Sequence, residues 1–142
     1  MPFQHAPRSL AMALFLALLA APALGFTAQN GHRVAALPQA DAFEVVPARA
    51  AGPRDYFCAA ADYGRQVLGL PPTARIAVLR GPHAPQVLPG RRAVSFSTQV
   101  PPDGRRPGQG NRYAVSISEP GYNMAVFDAL AFCEVDIDEW PF

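Results

Sequence analysis

Cys58 and Asp62 stand four residues apart, so on a helix they share a face. His83 is one of two histidines beyond residue 25, the other being His32. Together Cys58, His83 and Asp62 spell a Cys-His-Asp nucleophilic set, with the thiolate near a helix N-terminus, where negative charge is stabilised. Cys133 competes with that chemistry, because two cysteines in an exported chain read as a disulfide. Ser95, Ser97, Ser116 and Ser118 fall on alternate positions of two strand-like runs. None lies in a G-x-S-x-G turn, so they read as small polar residues on a wet sheet face. A zinc site needs three or four ligands at close spacing, which His32 and His83, standing apart, do not supply. Glu134, Asp136, Asp138 and Glu139 include Asp-x-Asp but lack the oxygen ligands and turn glycine of a calcium loop. They read as a solvated tail. The expectation is no catalytic set, no metal and no cofactor.

Every basic side chain is arginine; the chain has no lysine. Schiff-base chemistry, a Ser-Lys dyad and a phosphate-loop lysine are therefore excluded. Beyond residue 25, 11 arginines face 11 acids. That balance leaves no electrostatic footprint for nucleic acid or an anionic membrane. The most distinctive segment is PPDGRRPGQGNR, residues 101–112, with Arg105, Arg106 and Arg112 on a glycine-rich loop. Arg91 and Arg92 lie on the preceding loop. Guanidinium clusters suit carboxylate or phosphate, but the two groups are expected at opposite ends of the intervening strand. Arg105, Arg106 and Arg112, with Trp140 near the end of the chain, are the expected partner contacts.

The elements that position these residues follow from pattern. Residues 1–25 pair a basic start with about 16 apolar residues and close on Ala23-Leu24-Gly25. That is a cleaved export signal, too short for a span of about 20 residues. Residues 26–41 show no period and read as a loose leader. Residues 42–142 form one α+β domain in the order β-α-β-β-β-α. Ala42 to Val46 is the first strand. Gly52, Pro53 and Asp55 open a helix running to Leu68, stopped by Gly69 and Pro71-Pro72. Arg75 to Arg80, Ala93 to Val100 and Arg112 to Ser118 alternate as half-buried strands. Met124 to Cys133 is a shorter helix with Asn123 as its cap. The expected architecture is an antiparallel sheet of about four strands, two helices on one face, and one disulfide between Cys58 and Cys133.

The export signal, Asp-Tyr-Phe-Cys-Ala-Ala-Ala-Asp-Tyr at 55–63, Ser-Phe-Ser at 95–97 and Phe-Cys at 132–133 together resemble small uncharacterised secreted proteins of alphaproteobacteria. The resemblance covers most of the chain after the signal. It implies a shared Cys58–Cys133 framework and no assigned activity. The expected function is an exported, non-catalytic module, periplasmic or secreted, that binds a protein or envelope component. It has no nucleic-acid partner and no stable membrane span after cleavage. The alternatives are a small extracytoplasmic hydrolase and an envelope structural protein. Intact mass of the exported fraction checks the first step. The expected species is residues 26–142 less two hydrogens, and an intact N-terminus overturns the signal.

Overall fold

The computed structural model describes residues 25–109 and 114–134. The expected signal, Arg112, Tyr113, Trp140 and the tail acids beyond Glu134 lie outside the described residues, apart from Gly25 at the end of the signal. Six strands form one antiparallel sheet: β1 (Phe26–Thr27), β2 (Arg33–Ala36), β3 (Ala42–Val46), β4 (Arg75–His83), β5 (Ala93–Ser97) and β6 (Asn123–Ala125). Their spatial order is β1-β2-β3-β5-β4-β6. The helices are α1 (Pro53–Gln66) and α2 (Val126–Leu130), the second continued by a 3₁₀ turn at Ala131–Cys133.

Helix α1 starts where Gly52 is extended, Pro53 supplies a preset φ, and the Asp55 carboxylate accepts the Gly52 N–H at 2.8 Å. It ends where Gly69, at φ 66°, turns the chain so that the Leu70 N–H reaches the Gly64 carbonyl at 2.9 Å. Phe43 and Val45 of β3, Ile76 and Val78 of β4, and Val94 and Phe96 of β5 alternate onto one face. There they meet Phe57, Ala60, Ala61 and Tyr63 of α1 and Val126 and Ala129 of α2. Phe57 packs edge-on against both Phe96, at 5.2 Å, and Tyr122, at 5.9 Å. The Cys58–Cys133 disulfide, with Cα atoms 5.1 Å apart, ties α1 to the end of the 3₁₀ turn.

The α+β class, the antiparallel sheet, the two helices and the disulfide are as expected; the strand count is six rather than about four. Two of the added strands come from residues 26–41, expected to be loose. The chain there turns at Asn30-Gly31, with Gly31 at φ 83° and its N–H on the Ala28 carbonyl. Residues 114–118, expected to complete a strand, carry no strand pairing. Ser116 Oγ accepts the Glu119 N–H and bends the chain there, while Val115 and Ile117 still pack on the core. Met124, expected in the helix, lies in β6 opposite Ile76. Asn123 is not a cap: its side chain accepts from Arg75 Nε at 2.6 Å and donates to the Gly121 carbonyl at 2.9 Å.

The second sheet face is not wet. Every residue of β3 and β5 is buried, including Glu44, Ser95 and Ser97. The loop at 84–92 crosses that face and sets Leu88 against Ala35, Val46 and Ala93. Glu44 accepts the N–H groups of Gln86, Val87 and Leu88 at 2.8, 2.8 and 2.9 Å. Among the described residues no helix is long and apolar enough to cross a membrane. Glu44→Ala leaves three N–H donors without their acceptor, at about 1 kcal/mol or more each. The expected loss in urea unfolding is about 3 kcal/mol, with Glu44→Gln costing less; a loss near zero for Glu44→Ala shows that the loop does not depend on the carboxylate.

Candidate functional site

The structure disperses the Cys-His-Asp set. Cys58 is bonded to Cys133. Asp62, fully buried, accepts the Gln29 N–H at 2.8 Å and Gln66 Nε2 at 2.6 Å, and pairs with Arg65 at 3.3 Å. It fastens the N-terminal segment to α1. His83 instead meets Ser95, with Nε2 at 2.6 Å from Oγ. That contact is the starting point for a serine hydrolase, so its proton matters. His83 Nδ1 is sealed from solvent and has no hydrogen-bond partner among the described residues. Which atom donates depends on the tautomer of the ring. A general base needs a free Nε2 lone pair facing the hydroxyl and an acceptor holding Nδ1–H, and no acceptor for Nδ1 stands among the described residues. The pair is a tie between β4 and β5, beside the register shifts of β4 at Arg80 and His83. Among the described residues no group of three His, Cys, Asp or Glu could hold a metal ion.

Arg105 is occupied. Its guanidinium binds Glu119 at 2.6 and 2.7 Å, donates to the Gln109 carbonyl at 2.8 Å, and lies 5.2 Å from the Tyr122 ring centroid. The hydrogen bond to Glu119 raises its pKa further above an already basic value. Arg106 is exposed, and its N–H caps on Gln109 Oε1 at 2.9 Å. Arg112 and Trp140 lie outside the described residues.

A different set of arginines shares one cleft. Arg49, Arg91 and Arg92 line a cleft of about 570 Å³ between the connector after β3 and the loop before β5. The rest of its wall is small or apolar, with Pro47, Pro82 and Tyr56, and among the described residues no acid lines it. Arg49 is held by donating Nη2 to the Asn30 carbonyl at 2.7 Å. Tyr56 is only 3% exposed. Burial raises its hydroxyl pKa, and the charge of Arg92 opposes that rise. Gly90, at φ 155°, lies so close to Val46 that a Cβ there would overlap the Val46 side chain. The absence of that Cβ brings Arg91 and Arg92 down beside the strand ends.

The sequence reading singled out Arg91 and Arg92 and passed over Arg49. The link was the pairing of β3 with β5. In an antiparallel pair, the end of β3 lies beside the start of β5, here with Val45 opposite Val94. Residues just after Val46 and just before Ala93 therefore share one end of the sheet. No family model, curated protein or solved structure matches the chain.

His32 joins the cleft to the core. It is buried, and Nδ1 accepts the N–H of Ala48, a residue of the cleft wall, at 3.1 Å. Burial first, then the Arg49 charge, lower its pKa below 6.5, against a smaller opposing effect of Asp55. A depressed histidine binds fewer protons folded than unfolded, so folding stability is full above the unfolded value and falls as pH drops below about 6.5. Unfolding free energy measured from pH 8 to pH 5 is expected to decline through that window. His32→Gln is expected to flatten the slope, whatever it does to the plateau; an unchanged slope rules out His32 as its source.

Proposed function

We propose that the chain is an exported, non-catalytic module that binds a protein or envelope component through an acidic group of its partner. One observation carries the reading: three arginines line one cleft in which no carboxylate answers them. A guanidinium with a carboxylate beside it, as in Arg105 with Glu119, is a brace. Three exposed arginines lining one open cleft make a surface suited to anions. Tyr56 adds a hydroxyl to the same wall.

Two features support export. The opening 25 residues have the layout of a cleaved signal. The disulfide belongs to an oxidising compartment. The bond also closes a separation of 75 residues, and the loop-entropy model assigns such closures roughly 4 kcal/mol. A marginal domain at the cell envelope gains a large share of its net stability from such a bond.

Melting temperature in citrate, sulfate and phosphate at constant ionic strength tests the receptor. At least one anion is expected to raise it, since a ligand that binds only the folded state stabilises that state. Combined Arg49→Gln, Arg91→Gln and Arg92→Gln is expected to abolish the rise, and Arg80→Gln, outside the cleft, to leave it unchanged. A rise that survives the triple variant, or no rise with any anion, overturns the cleft as the binding site.

A further inference from the structure

We infer that the cleft takes a phosphate monoester on a larger molecule, in preference to a carboxylate. The inference rests on the anion-receptor reading above and narrows it to one chemistry. The shared group is the terminal phosphate, whether on a soluble phosphate compound or on an envelope lipid headgroup.

Charge is the first argument. A carboxylate carries one negative charge and is satisfied by one guanidinium fork through two parallel hydrogen bonds. Two more arginines beside it would be left facing each other. Arg49, Arg91 and Arg92 bring three positive charges and no acid to one wall. A phosphate monoester near neutral pH carries about −1.5 to −2 and presents three acceptor oxygens. Its charge and acceptor count suit more than one guanidinium, with Arg49 keeping its bond to the Asn30 carbonyl.

The second argument is the floor. Tyr56 packs its ring into the core at 3% exposure, and Arg92 is the charge its hydroxyl feels. No hydrogen bond of that hydroxyl is formed among the described residues, so it is a donor open to an incoming oxygen. Tyr56 also lies in the first turns of α1, a 14-residue helix, where the dipole favours negative charge.

The third argument is size. Pockets of about 300–1,000 Å³ hold drug-sized ligands, and a volume of about 570 Å³ leaves ample space beyond one anion. The wall away from the arginines is Pro47, Pro82 and small alanines. That surface suits the carbon body to which the phosphate is esterified.

The experiment uses the full exported chain with its disulfide intact. Binding is measured by co-sedimentation with phosphatidylcholine vesicles doped with phosphatidic acid, a phosphate monoester lipid. Matched vesicles doped with a fatty acid supply the carboxylate at equal surface charge. Inorganic phosphate is titrated separately by calorimetry. The expected result is binding to phosphatidic acid about tenfold or more tighter than to fatty-acid vesicles, a factor of ten being about 1.4 kcal/mol. Inorganic phosphate is expected to compete. Arg91→Gln with Arg92→Gln is expected to lose at least tenfold, and Arg80→Gln, an exposed arginine outside the cleft, nothing, with melting curves confirming that each variant folds. Binding of inorganic phosphate without vesicle capture also supports the inference and places the source among soluble phosphate compounds. Equal binding of carboxylate and phosphate overturns the inference and leaves the anion receptor standing. No anion binding at all overturns both.

Discussion

Glu44 sits in the middle of a sheet with its carboxylate out of reach of solvent. Moving a carboxylate from water into a protein interior costs several kcal/mol unless hydrogen bonds replace the lost water. Here three consecutive N–H groups, from Gln86 to Leu88, take that role. The exchange works in both directions. The strand tolerates a buried charge, and a loop with Pro85 and Pro89 gains a fixed path across the sheet. Leu88 then seals the second face, and Gly90 lets the chain descend against Val46 before Arg91 and Arg92. The position of two of the three cleft arginines thus follows from one acid on β3.

The opposite face is held by different means. Helix α1 is buried continuously from Tyr56 to Gly64, more than an amphipathic stripe requires. The sheet covers one side, α2 and the 3₁₀ turn another, and the N-terminal segment a third. Each cover has its own tie. Cys58 bonds to Cys133 at the end of the 3₁₀ turn, and Asp62 receives the Gln29 N–H. This accounts for the small side chains at Ala59, Ala60 and Ala61. A helix packed on several sides has little room for larger ones.

Much of this was legible. A short apolar run with β-branched residues located β3, period-two alternation located β4 and β5, and Gly52-Pro53-Asp55 located the start of α1. What alternation does not report is what lies over each face. The sequence AFEVV at 42–46 held the clue, since an acid among strongly apolar strand residues needs donors from elsewhere in the fold. The β1–β2 hairpin also had a signal in Asn30-Gly31, a pair suited to positive φ. Its flanking strands, Phe26–Thr27 and Arg33–Ala36, are too short to show a period. The cleft was illegible for a different reason. Arg49 and Arg92 are 43 positions apart, and only the β3–β5 pairing, set by Phe43 against Phe96 and Glu44 against Ser95, makes them neighbours.

The charge balance of the chain concealed its local asymmetry. Net charge is an average, and this fold separates what the average mixes. Asp55 is turned onto the Gly52 N–H, Asp62 onto the N-terminal segment, Glu44 onto the loop and Glu119 onto Arg105. These carboxylates are committed to backbone donors or to a single bracing arginine, so their negative charge is answered where they stand. Arg49, Arg91 and Arg92 are left at one end of the sheet with positive charge that nothing in the cleft wall answers. A field of this kind acts over about one Debye length, roughly 8–10 Å at ordinary salt, which is the scale of the cleft and not of the molecule. A chain whose formal charges nearly cancel can therefore still carry one small region of positive charge. Under the proposed reading, discrimination rests on fit to the guanidinium groups of the cleft more than on bulk electrostatics.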